Sequence, residues 1–273
     1  MSISNKIITK LFNIKTQSSK DFFEKMPVEV SEIDGVRSMH LGSITVQSSM
    51  RIDDPSYLEL DYTQVMALST LFLKSPKKML LVGLGGGSMS KFFYKYFNKV
   101  KIIILELNPQ VIQIAKHFFK LPKESLRFII TQGDGIQFIK NSETQYDLVL
   151  SDAFEEYGLP EEFCCASYFE SCRATLSNQG LFVINLWGSD PKTPLYIDRI
   201  KSLFDNRVLY ANSGNPGNVI VFAFNGLSEE LRVDILRKKI KLLEKKINLN
   251  LMVYFNRLIK NNTQGTSNRF RFD

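Results

Sequence analysis

The segment LLVGLGGGSMS (residues 80–90) passes from an apolar run into a cluster of glycines. Glycine has no side chain, so the backbone can turn tightly there and approach a ligand that any Cβ would exclude. The turn lies between a predicted strand and a predicted helix, which favours a nucleoside as the ligand. It departs from the GxGxxG pattern of dinucleotide sites, because Ser88 stands where the third glycine is required. The glycines of the turn are Gly83, Gly85, Gly86 and Gly87.

Two acidic residues end the next two predicted strands. Glu106 closes KIIILEL, about 20 residues after the glycines, where a carboxylate can accept hydrogen bonds from both ribose hydroxyls. Asp134, in QGDG, can accept from an adenine amine while Gly135 leaves room for the ring. Purely structural explanations stay open, since Glu106 can be an ordinary strand-end carboxylate and Asp134 can cap the next helix. The carboxyl ends of parallel strands share one crevice, so we expect these features to converge.

A third acidic group follows the fourth strand, in LVLSDAFEEYGLPEEF. Glu161 and Glu162 come directly after Pro160, a pattern typical of a helix start, where glutamates favour the helix dipole. Asp152 and Glu155 precede that helix and have no such structural role. Their position beside the predicted nucleoside indicates a cationic ligand.

The elements that position these residues alternate between strand and helix from residue 78 onward. Continuous apolar strands alternating with helices predict a mostly parallel sheet covered on both faces. Its last two strands are joined by GNPG and must be antiparallel, because so short a connection cannot make a parallel crossover. We therefore predict a class I methyltransferase-like (Rossmann-like), doubly wound α/β fold. A small β-hairpin or meander domain is expected at residues 1–60, followed by a nucleoside-binding catalytic domain with C-terminal helices at 61–273.

Composition and charge narrow the classes of partner. The net charge is +7, but much of the positive charge lies around RKKIKLLEKK (residues 237–246), where apolar spacing predicts a solvated helix face over a packed one. A nucleic-acid partner is therefore not expected. No apolar run approaches the roughly 20 residues of a membrane span. The first residues also lack the apolar core of a secretory signal, so we expect a cytoplasmic protein without a membrane partner.

The cysteines and histidines of the chain do not form patterns typical of a metal site or a catalytic triad. Cys164, Cys165 and Cys172 form no CxxC pair, and we predict that they are small core thiols without a metal. His40 and His117 are the only histidines, so a histidine-based triad is not favoured. Catalysis must fall to carboxylates, hydroxyls or a cofactor.

Over most of its length the sequence resembles the spermidine synthase family, the polyamine aminopropyltransferases. The resemblance runs through GVRSMHLGSITVQSS, DDPSYLEL, LVGLGGGS, ELNPQVI, QGDG, SDAFEEYG and SYFESCRATLSNQGLFVIN. It implies transfer of the aminopropyl group of decarboxylated S-adenosylmethionine, a co-substrate, to a diamine such as putrescine, with release of methylthioadenosine. It also implies small-molecule substrates, no permanently bound cofactor, and a homodimer or homotetramer.

The resemblance assigns roles to the nucleoside-binding residues. Glu106 would hold the ribose, and Asp134 with Gly135 the adenine. The glycines from Gly85 to Gly87, including Gly86, would lie against the donor.

For the amine side, Asp152 matches the first aspartate of the family's DxxD stretch, which implies the proton acceptor, and Glu155 replaces the second. Gln47 and Tyr57 correspond to a glutamine and a tyrosine that contact donor and amine. Three departures accompany this match. Ser88 replaces the acidic residue of GGGDGG, Glu156 stands in place of a proline, and the spacing from Gln47 to Tyr57 is one residue longer than expected.

Two other functions are compatible with the same pattern. A methyltransferase using intact S-adenosylmethionine fits the fold and the loss of acid at Ser88, although no Asn-Pro-Pro-Tyr-type stretch follows the fourth strand. A nucleoside- or RNA-binding protein without catalysis would use the basic C-terminal helix, but few aromatic residues accompany its basic ones.

Overall fold

The computed structural model describes residues 27–42, 45–154, 158–214, 217–226, 230–263, 267–270 and 272. Its first elements are three antiparallel strands, β1 (Val28–Ile33), β2 (Val36–Leu41) and β3 (Val46–Arg51), paired in that order. Asp34 and Gly35, between β1 and β2, both have positive φ (49° and 77°), as a twist-matched two-residue hairpin turn requires. The small N-terminal meander predicted from the sequence is confirmed, while the domain boundary at residue 60 stays a prediction.

The rest of the chain alternates strand and helix as predicted. One helix and a 3-10 turn (Leu68–Leu71) come before the first strand of the large sheet. The strands and helices are α1 (Asp61–Ala67), β4 (Lys78–Val82), α2 (Ser88–Tyr96), β5 (Lys101–Glu106), α3 (Pro109–Phe118), β6 (Phe128–Gln132), α4 (Gly135–Lys140), β7 (Tyr146–Ser151), α5 (Ala166–Ala174), β8 (Leu176–Leu186), α6 (Thr193–Leu203), β9 (Val208–Asn212), β10 (Val219–Phe224), α7 (Val233–Ile247) and α8 (Met252–Asn262).

The large sheet has seven strands in the order β6-β5-β4-β7-β8-β10-β9. Strand β4 pairs in parallel with both β5 and β7, and the chain reverses its direction of winding between them. Ligands of such sheets bind at this switch point, outside the carboxyl ends of the strands. The predicted antiparallel closure is confirmed in detail, since β10 is antiparallel to both of its neighbours, β8 and β9.

Strand β4 explains why the central strands are apolar without interruption. Met79 and Leu81 belong to the apolar cluster on one face of the sheet, and Leu80 and Val82 to the cluster on the other. Successive strand residues point to opposite faces, so a strand covered on both sides needs apolar residues at every position. Packing on both faces of the sheet thus fixes the position of β4, and the glycine turn follows directly at the end of this strand.

Three local predictions need correction. Pro160 precedes a single 3-10 turn (Glu161–Cys164) rather than a helix. The α7 residues Ile235 and Leu242 are 44% and 69% exposed, so the packed face of this helix is narrower than its spacing suggested. Cys165 is exposed, whereas the other two cysteines are buried.

In the described parts of the chain, no helix is long and apolar enough to cross a membrane.

Candidate active site

A cavity of about 770 Å³ opens at the carboxyl ends of the central strands. Residues of strand β4, of its glycine turn, and of β2 and β3 all contribute to its lining. The sheet-end residues named from the sequence meet there: Gly83, Gly85, Ser88, Glu106, Asp134, Gly135 and Asp152 all line the cavity, as does Gln47 of β3. The convergence predicted from strand ends is thus a feature of the structure.

The glycine turn packs largely against protein. Gly83 has φ +95°, and a Cβ there would lie 2.1 Å from the carbonyl oxygen of Asp152. Gly87 has φ +73° and is the N-cap of α2, where a Cβ would strike Leu121; a Cβ at Gly86 would strike Phe119. Of the three glycines from Gly85 to Gly87, only Gly85 is among the residues described as lining the cavity.

Glu106 is held by the turn that it faces. Its two carboxylate oxygens accept from the backbone N–H of Leu84 (3.0 Å) and of Asn108 (2.8 Å). Burial raises the pKa of Glu106, and the backbone donors oppose that rise. The carboxylate thereby ties β5 to the glycine turn while it remains on the cavity wall.

Asp134 is the N-cap of α4. One carboxylate oxygen accepts from the backbone N–H groups of Ile136 (2.8 Å) and Gln137 (3.3 Å). Asp134 therefore has the structural role of a helix cap. It also lies on the cavity wall, so a role in binding a ligand stays open. A Cβ at Gly135 would lie 2.5 Å from Val82, so this glycine also allows α4 to approach β4.

Asp152 has two side-chain partners that the sequence did not single out. Asn185 of β8 donates to its carboxylate at 2.9 Å. The Tyr62 hydroxyl, which donates to the backbone oxygen of Gln47 at 3.4 Å, lies near the same carboxylate and also lowers its pKa. Burial raises the pKa of Asp152, and both donors oppose that rise. Asp152 is thus a carboxylate with increased proton affinity, oriented by an amide and a phenol.

Tyr57 does not lie in the cavity lining. The Arg51 guanidinium stacks on its ring, 3.6 Å from the ring centre. Tyr62, at the start of α1, does line the cavity, near Asp152.

Ser88 begins α2 and is buried. Its hydroxyl lies 3.3 Å from the Ser48 hydroxyl and donates to the backbone oxygen of Ser49 at 3.3 Å. Those contacts connect α2 to β3 of the N-terminal sheet.

Glu155 and Glu156 lie outside the described residues, so the structure gives no position for the second acid of the DxxE stretch.

The charges of the cavity differ from those of the whole chain. Its described lining contains five acidic residues and no lysine, arginine or histidine, in a protein of net charge +7. The acids include Asp61, whose carboxylate accepts from Tyr254 at 2.8 Å, and Glu162, which sequence analysis had assigned to a helix start. The described residues also contain no group of His, Cys, Asp and Glu able to hold a metal ion. Such a cavity favours cationic ligands.

Comparison with known proteins gives a consistent result. Residues 59–192 match the model of the spermine/spermidine synthase domain. A polyamine aminopropyltransferase of Chromobacterium violaceum is 37% identical over 242 residues, which cover 88% of this chain and 93% of that protein. Two solved structures share the fold at 17% identity. One is a probable spermidine synthase from Corynebacterium glutamicum (TM-score 0.67, covering 78% of this chain and 81% of that one). The other is a spermidine synthase in complex with the transition-state analogue AdoDATO (TM-score 0.60, covering 89% of each chain).

Proposed function

The chain belongs to the spermine/spermidine synthase family of polyamine aminopropyltransferases, and from this premise we propose the reaction and the roles of its residues. The enzyme transfers the aminopropyl group of decarboxylated S-adenosylmethionine to a diamine such as putrescine and releases methylthioadenosine. The observation that carries this proposal is Asp152, a carboxylate of raised pKa in an acid-lined cavity beside the glycine turn.

The chemistry requires a neutral amine. An alkylammonium has a pKa near 10 and no free electron pair, so it must lose a proton before its nitrogen can attack. Asp152 accepts that proton. The nitrogen lone pair then forms a bond to the carbon beside the sulfonium, the carbon–sulfur bond breaks, and its electron pair remains on sulfur as the neutral thioether. Fixing nitrogen, carbon and sulfur in line supplies much of the rate.

The absence of cationic side chains from the described lining favours the decarboxylated donor. Intact S-adenosylmethionine carries a carboxylate, which no lysine, arginine or histidine of the described lining would neutralise. Like charges disfavour one another in a partly desolvated site. The decarboxylated donor has only positive charges and meets no such penalty. The same argument disfavours the methyltransferase alternative.

We assign the remaining residues by their place on the cavity wall. Glu106 binds the ribose hydroxyls, Asp134 and Gly135 receive the adenine, and Gly85 lies under the donor. Gly86 and Gly87 act indirectly, by shaping the turn.

On the amine side, Gln47 and Ser88 face the aminopropyl group, and Tyr62 takes the role first given to Tyr57. Glu155 remains a candidate for holding the attacking ammonium.

The test is to incubate the purified protein with a diamine and each donor in turn, and to separate the nucleoside products by chromatography. We expect methylthioadenosine and a longer polyamine from the decarboxylated donor. Formation of S-adenosylhomocysteine from the intact donor, without methylthioadenosine, would contradict the proposal in favour of a methyltransferase.

Two broader properties also remain proposals. We expect a cytoplasmic enzyme, and a homodimer or homotetramer. Light scattering on the purified protein measures the second, and a monomer at micromolar concentration would contradict it.

A further inference from the structure

Asn218 lines the cavity and takes no part in the reaction as described above. It stands directly before β10, which pairs antiparallel with β8 so that Ile220 lies opposite Asn185. That register brings the end of β10 beside the carboxyl end of β8. The Nδ2 of Asn218 donates to the Oδ1 of Asn185 at 2.8 Å. Asn218 therefore extends the hydrogen-bond network that begins at Asp152.

The three side chains form a chain of hydrogen bonds with one direction. An ionised carboxylate can only accept, so Asn185 must present its Nδ2 to Asp152, as it does at 2.9 Å. The Oδ1 of the same amide then faces another group, and Asn218 supplies the donor for it. A half-turn of the Asn185 amide would break both hydrogen bonds. Each of the two bonds thus favours the orientation that the other requires.

Asn218 is itself fixed by contacts with protein. The N–H of buried Ser213 donates to the backbone oxygen of Asn218 at 2.8 Å, and its hydroxyl accepts from the Asn218 N–H at 2.9 Å. Arg257 of α8 donates to the backbone oxygens of Asn212 and Ser213, which come directly before the turn that joins β9 to β10. Helix α8 and this turn thereby hold the Asn218 amide against Asn185.

The orientation of the Asn185 amide bears on the protonation of Asp152. A protonated carboxyl is a donor, so an amide that turned its Oδ1 towards Asp152 would stabilise the protonated form. Asn218 opposes that turn, because two NH2 groups would then face each other. In the orientation that the structure has, Asn185 stabilises the ionised carboxylate and lowers its pKa, against the effect of burial.

Other ionisable groups surround Asp152, and their effects must be separated from that of Asn218. In the described lining they are Asp61 and Tyr62 of α1, Glu106 of β5, Asp134 before α4, and Glu162. Of these, Tyr62 acts on the pKa of Asp152 and lowers it, as Asn185 does. Asn218 is uncharged, so replacing it by an apolar residue changes the charge of none of these groups.

We propose that Asn218 is a positioning residue for the general base: it holds the Asn185 amide in the orientation that donates to Asp152 and so keeps that carboxylate ionised for the attacking amine. The role of Asp152 as the base rests on the proposed aminopropyl transfer. The orientation of the Asn185 amide does not, since it follows from the two hydrogen bonds alone.

The pKa of Asp152 measures this orientation without any turnover. NMR titration of protein containing aspartate isotope-labelled at the side-chain carboxyl follows it, and the signal of Asp152 is the one missing from Asp152→Asn. We expect Asn218→Leu to raise this pKa by roughly 0.5 to 1, the effect of losing one hydrogen bond. Asn218→Ala, which removes the amide without adding a branched side chain, should give the same rise. An unchanged pKa in both variants would overturn the inference.

The chain offers a matched control at the other end of the same strand. Asn225 directly follows β10, and its amide also bonds to protein, donating to the backbone oxygen of Ser177 at 3.0 Å. Asn225→Leu should leave the pKa of Asp152 unchanged, whatever it does to stability. An equal rise in this variant would show that general loosening of the fold, and not the Asn218 amide, sets the pKa.

A double-mutant cycle tests whether Asn218 acts through Asn185. Asn185→Leu should raise the pKa of Asp152 more than Asn218→Leu does, because it removes the donor itself. Adding Asn218→Leu to Asn185→Leu should then raise the pKa no further. Additive rises would show that Asn218 reaches Asp152 by another route and would overturn the inference.

Kinetics connect the orientation to the reaction. The acidic limb of the pH profile of kcat/KM should move to higher pH in Asn218→Leu, by the amount that NMR measures. Well above the limb, where Asp152 is ionised, kcat should stay within about threefold of the wild type. If the wild type forms no methylthioadenosine with any amine but the NMR shift is present, the proposed function fails and the positioning of Asn185 stands. If the wild type is active and the NMR shift is absent, only the positioning role is wrong.

Discussion

At Asp152, opposing effects set the proton affinity of one carboxylate. Burial raises its pKa, while donors on Asn185 and Tyr62 stabilise the charged form and lower it. The pKa of the Tyr62 hydroxyl is itself raised well above 10, mainly by burial, so the phenol stays protonated and remains a donor. A base in this environment holds a proton more tightly than a solvated aspartate does.

Replacing Asp152 tests the base directly. We expect Asp152→Asn to lower kcat by about 10²- to 10⁴-fold, the typical contribution of a positioned general base, because an amide cannot accept the proton. Methylthioadenosine affinity, measured by calorimetry, should stay within about twofold, since the nucleoside contacts other strands. Asp198→Asn on α6 is the control and should be as active as the wild type. Near-normal turnover of Asp152→Asn would remove this residue from the base role.

Tyr62→Phe tests the phenol that orients the base. Loss of this donor removes an interaction that lowers the pKa of Asp152, so that pKa should rise further. Because the enzyme needs Asp152 ionised, the acidic limb of the pH profile of kcat/KM should move to higher pH. Tyr57→Phe, outside the cavity lining, should leave the limb in place. A shift with Tyr57→Phe instead would contradict the assignment made here.

The sequence identified those site residues whose position follows from strand ends. Glu106, Asp134 and Asp152 could be predicted because parallel strands bring their carboxyl ends to one edge. Tyr62 could not be distinguished from Tyr57, since the path of the residues between β3 and α1 depends on tertiary packing. Trp187 also lines the cavity, and nothing in the residues around it in the sequence indicated that position.

Helices α2 and α3 meet at a buried lysine. Lys91 is 2% exposed, and its ammonium donates to the backbone oxygen of Phe119, directly after α3, at 2.9 Å. Burial lowers the pKa of Lys91 to about 7. The contact holds the end of α3 beside the glycine turn. The ring of the same Phe119 lies so close to Gly86 that a Cβ at this glycine would meet it.

Stability should therefore depend on pH through Lys91. Its pKa is about 7 in the folded protein and 10.5 when unperturbed, so between these values the unfolded chain binds more protons. The resulting penalty on folding is complete below pH 7 and disappears as the pH rises to 10.5. Relative to Lys91→Met, the wild type should gain on the order of 3 kcal/mol of unfolding free energy between pH 7 and 9.5.

Urea denaturation of both proteins at the two pH values measures this difference. Lys99→Met, at an exposed lysine after the same helix, is the control and should track the wild type. An equal pH dependence for the wild type and Lys91→Met would show that Lys91 keeps an ordinary proton affinity in the folded protein.

For the secondary-structure elements, hydrophobic periodicity predicted most strands and helices but not how every strand pairs with its neighbours. The apolar runs of β4 to β8 and the hairpin of β9 and β10 were evident from the sequence. The sequence did not show that β10, and not β9, pairs with β8. The two strands of the hairpin have similar compositions, so either of them could have been the neighbour of β8. The turn at residues 161–164 resembled a helix start because proline and glutamate also suit a 3-10 turn.

For the whole molecule, the positions of the charges decide which substrates are attracted, more than the net charge does. The chain has a net charge of +7, yet the described lining of its cavity contains five acids and no basic side chain. The excess positive charge thus lies elsewhere, including the lysine-rich outer face of α7. A local negative field of this kind attracts cationic substrates independently of the net charge.

Salt should weaken that attraction selectively. Because ions screen exposed charges, KM for the diamine should rise several-fold between roughly 0.05 and 0.3 M salt. The affinity for methylthioadenosine, which is neutral, should change by less than about twofold over the same range. Steady-state kinetics and calorimetry in matched buffers measure the two constants. Equal salt dependence of both would contradict a field localised at the cavity.

The central claim is that one cavity holds the adenosyl group at the strand ends while Asp152 contacts the attacking nitrogen. A crystal structure with methylthioadenosine and a diamine tests it most directly. We predict the ribose at Glu106, the adenine at Asp134 and Gly135, and one amine nitrogen within hydrogen-bonding distance of the Asp152 carboxylate. A nucleoside bound elsewhere, or an amine in the cavity out of reach of Asp152, would contradict the account.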